Sequence, residues 1–275
     1  MTGCPYSENN WDKHVKTDCF QVNLKNLFCE LLLEWWEKNK RDFPWRHTQD
    51  PYAVLVAEML LRKTNAQQVK RVFSEFLRKY PSPMSLANAN EDELTNLLKT
   101  LGMEHSRAKL FIRLGSFITE RYNGNIPNQA EKLLQLPGVG LYATNAVLCF
   151  AFSQDVPTVD TNFIRVIERV FSLKPSRARA RNDKKLWEFA HSLLPRGRSR
   201  EFNFAILDFA SIICRSKKPK HALCPIVHVC EFYINTTKSS FGDTIKVTVS
   251  LCKQASGLES PLNNRLKEKA QKTRA

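Results

Sequence analysis

The sequence lacks any apolar run approaching the roughly 20 residues that cross a bilayer, which excludes a membrane-spanning helix. Its opening residues, MTGCPYSENNWDKH, have neither the basic start nor the apolar centre of a secretion signal. The expected location is therefore the cytoplasm, beside the nucleoid, or the nucleus. Before residue 236 no stretch alternates apolar and polar residues with β-branched enrichment, so a sheet-based core is excluded there. No internal repeat occurs. Cysteines are present, but Cys4, Cys19, Cys29, Cys149 and Cys252 are scattered, which does not suit a disulfide scaffold. Acid is also scarce: 27 Asp and Glu stand against 42 Lys and Arg, for a formal net charge of +15. Such an excess implies a polyanionic partner, because neutralising phosphates releases counterions.

What is present is helical periodicity. Leu24, Leu27, Phe28, Leu31, Leu32 and Trp35 recur at helical spacing between residues 22 and 38. Phe43-Pro44-Trp45 ends that segment, and Pro51 opens a helix to Leu61. Further helices are predicted over 65–80, 90–99, 105–122, 129–135, 141–152, 162–171, 183–194 and 201–213. The fold class is all-α. Residues 1–20 and 236–275 read as appendages, with one strand over Thr244–Leu251 and a basic tail from Arg265. Trp35, Trp36, Trp45, Trp187, Tyr52 and Phe150 have apolar neighbours and read as core.

The positive charge is uneven. Residues 174–220 carry 13 basic and 4 acidic residues, and Arg62–Lys79 carries six basic residues and one acid, Glu75. Nucleic acid suits this pattern better than a membrane surface. Leu136-Pro137-Gly138-Val139-Gly140 lies between two predicted helices. Its glycines permit positive φ and close backbone approach, and the next helix starts with unpaired N–H groups. That is the composition of a phosphate clamp, or of an ordinary tight turn. Asp160, ahead of Asn162 and Arg165, suits a helix N-cap. Arg165 would pair near Asp160 or touch DNA; His105, Ser106 and Arg107 begin a helix, and nothing in the sequence supports a phosphate contact there. Glu58 sits among Val56, Ala57, Met59, Leu60 and Leu61, which leaves little solvated face for an acid. A surface pairing with Arg62 one turn later is the alternative.

Four blocks carry a resemblance over residues 22–233: RDFPWRHTQDPYAVLVAEMLLRKT, LPGVGLYATNAVLCFAF, VDTNFIRVIERVF and FNFAILDFASIIC. Together they resemble the helix-hairpin-helix DNA glycosylases related to endonuclease III. The branch acting on guanine–thymine mismatches is the nearest match, followed by the adenine-DNA glycosylases. Arg62 and Lys63 stand where adenine enzymes carry two glutamines, and Tyr142 stands where lyase-competent members carry a lysine. The resemblance implies two helical domains, 51–157 (six helices, with the hairpin) and 21–50 with 158–235, plus a C-terminal metal-cluster loop.

It also implies roles. Asp160 would stabilise the sugar cation, Glu58 would meet the flipped base, and Tyr142 could not form a Schiff base, so the enzyme would be monofunctional. Leu136, Gly138, Val139 and Gly140 would grip a phosphate of double-stranded DNA, and Arg62, Lys63 and Gln67 would fill the gap left by the flipped base. The expected activity is excision of thymine or uracil opposite guanine by a monomer. Alternatives are adenine opposite guanine or 8-oxoguanine, a modified pyrimidine, and a catalytically silent DNA-binding module.

Cys214, His221, Cys224 and Cys230 keep the family's ligand spacing, with histidine replacing one of four cysteines. A [4Fe–4S] cluster is the expected cofactor; zinc or no metal are the alternatives, and His228 and Cys252 are substitute ligands. Lys217, Lys218 and Lys220 would bring this loop to DNA phosphates.

Overall fold

The computed structural model describes residues 11–174 and 183–238, with side chains from residue 24. Among the described residues all regular structure is helical. The helices are α1 (Trp11–Asn39), α2 (Pro51–Leu61), α3 (Ala66–Lys79), α4 (Pro83–Ala87), α5 (Glu91–Leu98) and α6 (Glu104–Tyr122). They continue as α7 (Ala130–Leu133), α8 (Leu141–Phe150), α9 (Thr161–Phe171), α10 (Lys184–Ser192), α11 (Ser199–Ile212) and α12 (Glu231–Lys238). Residues to Phe232 form one compact unit, and Tyr233 begins a second. No helix among the described residues is long and apolar enough to cross a membrane. The predicted strand at 244–251, the basic tail, Cys4 and Cys252 lie outside the described residues.

Two differences from the sequence reading concern helices. The first helix begins at Trp11, well before the periodic segment that starts at residue 22. Residues 11–20 fall in the stretch that reads from sequence as an appendage. Helix α4 lies between the predicted helices 65–80 and 90–99, where Pro81 and Pro83 read as punctuation. Pro83 instead fills the first helical position, and Ser82 caps it by accepting from the Ser85 N–H at 3.2 Å. Gly115 of α6 explains how closely α4 packs: a Cβ there would lie 2.6 Å from the Ala87 backbone nitrogen.

The centre is built on α2 and α8, which pack together. Tyr52 through Leu60 are all buried, as are Ala143 through Phe150, so neither helix has a solvated face. Trp36, Trp45, Tyr52 and Phe150 are core as expected, whereas Trp35 and Trp187 are only half-buried.

One buried carboxylate joins α1 to α11. Asp208 of α11 is fully buried. It accepts from Trp36 Nε1 of α1 at 2.9 Å, from the Arg41 amide at 3.1 Å and from Arg41 Nε. Arg46 grips it with both terminal nitrogens, at 2.7 and 2.8 Å. The two guanidinium groups hold its carboxyl below the usual range in spite of burial. Removing the charge strands Arg46, whose side chain is 9% exposed. Asp208→Asn is expected to lower unfolding free energy by about 3–5 kcal/mol, read from the shift of the urea midpoint.

Candidate active site

Glu58 is the one acid on α2, and α2 packs on all sides, so its carboxyl is 5% exposed. Tyr142, in the first turn of α8, is brought against it and hydrogen-bonds its carboxyl. Arg62 is not its partner; that guanidinium donates instead to the Gly138 carbonyl at 3.0 Å. Glu58 Oε2 is buried and has no hydrogen-bond partner among the described residues. An unpaired buried carboxyl oxygen is costly unless a ligand completes it. Burial, with Asp160 nearby, pushes the Glu58 carboxyl from 4.5 to about 7, against the pull of Tyr142 and Arg46. The same burial and the two carboxylates push the Tyr142 phenol well above its usual range, so it stays protonated and donates.

Asp160 is both an N-cap and part of this cluster. It caps α9 by accepting from the Asn162 and Phe163 amides at 2.9 and 2.7 Å. Burial raises its carboxyl, while those bonds, the Asn162 side chain at 2.6 Å and the charge of Arg165 pull the other way. From sequence, an N-cap and a site carboxylate are alternative readings of Asp160; the structure shows the cap, and places the same carboxyl near Glu58 and Tyr142. Asn203, fully buried on α11, fixes the approach to Asp160 by bonding Thr158 and the Val156 carbonyl.

A further chain of bonds leads away from Asp160. Asn162 Oδ1 accepts from Arg165 Nη1 at 3.0 Å. Arg165 also donates to the carbonyls of Cys214 and Ala210, at 2.9 and 3.0 Å. Arg165 thus serves structure, through carbonyls at the end of α11.

The hairpin is a tight turn closed by Val139 N–H to the Leu136 carbonyl at 3.0 Å. Gly138 has φ +76°, and a Cβ there would meet Leu110 at 2.9 Å. Gly140 departs from expectation: its φ is −108°, and open space surrounds the position of a Cβ. The side chains of Leu136 and Val139 are buried, so only their backbone is available to a phosphate. Lys63 and Gln67 are exposed on the 62–67 stretch, and Lys63 has a left-handed φ of 54°. Arg107, at the start of the helix predicted over 105–122, is buried and bonded to backbone carbonyls.

Cys214, His221, Cys224 and Cys230 line one cavity together with Arg169, Phe209, Ile213, Lys220 and Phe232. Burial and the neighbouring sulfurs of Cys230 and Cys214 push the Cys224 thiol to about 11. Among the described residues no three metal-binding side chains close on a single ion. Arg169 ties the loop down through the Arg215 and Ser216 carbonyls at 2.6 and 3.0 Å. Lys217 and Lys218 are exposed, Lys220 is half-buried, and His228 is exposed.

Sequence reasoning missed two contributors. Arg46 lies within a quoted block but was not singled out; its field reaches Glu58 and Tyr142. Asn162 was noted only as a neighbour of Asp160. Arg46 acts through tertiary contacts that a single sequence does not signal, whereas Asn162 acts on Asp160 two residues away, and its place just after the N-cap was the signal available.

The Glu58 shift has a measurable consequence. Between 4.5 and about 7 the folded state holds a proton that the unfolded chain has released. Stability from this group is therefore present at pH 4.5 and lost as pH rises through about 7. Glu58→Gln removes that loss. Its stability relative to wild type is expected to improve by on the order of 2–3 kcal/mol from pH 5 to pH 8, measured by chemical denaturation. A pH-independent difference would show that Glu58 keeps one protonation state.

With this geometry in view, comparison with known proteins is informative. The model of the HhH-GPD superfamily of base excision DNA repair proteins matches residues 56–191. A thymine/uracil-DNA glycosylase of Pyrobaculum aerophilum is 47% identical over 75% of this chain and 91% of its own length. An adenine DNA glycosylase of Mycobacterium tuberculosis is 34% identical over 71% of this chain and 64% of its own. The structure of a thermostable thymine-DNA glycosylase superposes with a TM-score of 0.72 at 36% identity, covering 78% of this chain and 98% of that one. The matched stretch contains Glu58, the hairpin, Tyr142 and Asp160, and the chain belongs to the HhH-GPD superfamily of base excision DNA repair proteins.

Proposed function

We propose that this protein is a monofunctional glycosylase that removes thymine or uracil opposite guanine from double-stranded DNA, acting as a monomer. The buried Glu58–Tyr142 pair beside Asp160 carries the reading. Relatives named for thymine or uracil excision support the choice of base. Glu58, poised near neutrality, is the observation that favours adenine as the second reading, since such an acid can protonate a purine. All the residues of the site come from one compact unit, which supports action as a monomer.

Excision builds positive charge on the deoxyribose. Asp160, held by three hydrogen bonds, can face that charge without reorganising and can orient water. The unpartnered Oε2 of Glu58 suits the edge of an extruded base. Tyr142 has no amine with which to attack the sugar, so the product is an intact abasic site. The hairpin N–H groups at the start of α8 and the exposed Lys63, Lys217 and Lys218 would hold phosphates.

The cysteine loop fits a cofactor. Three thiols and an imidazole line one cavity, a donor set that suits iron–sulfur or zinc ligation. Cys214, His221, Cys224 and Cys230 would hold a [4Fe–4S] cluster whose role is to fix the loop. Anaerobically purified protein is then expected to absorb near 400 nm and to contain about four irons per chain. Zinc without iron would overturn the assignment, as would no metal.

The activity is tested with duplexes carrying G·T, G·U, A·G, A·8-oxoguanine and modified cytosines, treated with protein and then alkali. Cleavage of the first two is expected, and nicking without alkali would refute the monofunctional reading. Asp160→Asn is expected to slow base release by about 10²–10⁴-fold while DNA affinity, measured by gel shift, is kept.

A further inference from the structure

Arg107 lies near the start of α6 and is 5% exposed. All of its bonds reach one neighbourhood. Nε donates to the Gly102 carbonyl at 2.9 Å. Nη1 donates to the Met59 and Leu60 carbonyls, at 3.1 and 3.3 Å. Nη2 donates to the Arg62 carbonyl and to Thr64 Oγ1, the latter at 2.6 Å. The acceptors are the end of α2, which carries Glu58, the turn that follows it, and the turn leading into α6. A helix end leaves carbonyls unpaired and favours a cation, so a buried guanidinium is well suited to it.

Two residues flanking this clamp are strained. Lys63 has φ 54° and Met103 has φ 55°, and neither is glycine. Both side chains are exposed, Met103 by 48%. Such backbone persists only where the surroundings impose it. The Arg62 side chain extends the clamp to the hairpin through the Gly138 carbonyl. Thr64 adds a bond to the Leu101 carbonyl at 3.4 Å, and Gln68 one to the Thr100 carbonyl at 3.2 Å.

We infer that Arg107 is a positioning residue for base extrusion, bracing the 62–64 turn so that Lys63 is presented to the duplex at a fixed distance from Glu58. The inference rests on the proposed glycosylase activity. Arg107 touches neither substrate nor Glu58. It acts by holding the strained turn in place when the duplex is opened, and opening is the step that costs energy. Lysine cannot replace it, because an ammonium lacks the planar fork that reaches five acceptors.

The test is Arg107→Lys in single-turnover excision of uracil from two duplexes, with uracil opposite guanine and opposite an abasic residue. A paired base needs the brace more than an unpaired one does. The rate on the paired substrate is expected to fall about tenfold or more, through kcat rather than KM, while the unpaired substrate changes less than about threefold. Equal losses on both would make Arg107 merely structural and overturn the inference, as would no loss on either. If Arg107→Lys fails to fold, Thr64→Val loosens the same clamp. It is expected to show the selective loss at about threefold, and its absence overturns the inference. Wild type inactive on both substrates would fault the proposed activity instead.

Discussion

Glu58 is an acid on a helix that has no solvated face, and the site is organised by that constraint. The apolar faces of α2 pack on every side, so the carboxyl at position 58 has to be buried with them. Burial raises its proton affinity, and Tyr142 of the facing helix supplies a hydrogen bond to it. Its second oxygen is left for something else. An arrangement of this kind destabilises the folded protein unless it serves a ligand, and a base turned out of a duplex offers the polar edge that such an oxygen needs. Asp160 completes the cluster from α9, where capping bonds hold its carboxylate still.

Arginines link these elements by a shared device. Arg107 ends α2, Arg165 bonds carbonyls at the end of α11, and Arg200 bonds the Phe150 carbonyl at the end of α8 at 2.7 Å. Each supplies N–H groups where a helix has run out of its own. Part of the basic excess that reads as DNA affinity is therefore internal. Arg46 and Arg41 belong to the same group, held on Asp208. The exposed charge left for DNA is carried chiefly by lysines such as Lys63, Lys217 and Lys218.

The cysteine loop is tied to Asp160 by geometry. Arg165 reaches the Cys214 carbonyl on one side and Asn162 on the other, and Asn162 holds Asp160. Arg169 fastens the next turns of the loop. Three hydrogen-bonded contacts thus separate Cys214, at the edge of the cysteine cavity, from the Asp160 carboxyl.

By itself the sequence determined the helical class, most helix spans, and the residues that meet in the site. Periodicity and punctuation are local, and Glu58 stood out because its neighbours are apolar. It also marked Asp160, though it could not say that the capping carboxyl lies beside Glu58 and Tyr142. Tertiary structure alone decided what depends on partners distant along the chain. It made Arg107 a buried clamp and sent Arg62 to the Gly138 carbonyl. It also left Gly140 extended rather than left-handed. The physical reason is that a side chain's charge and length are written in the sequence, whereas the unsatisfied carbonyl or buried carboxylate that claims it exists only once helices pack.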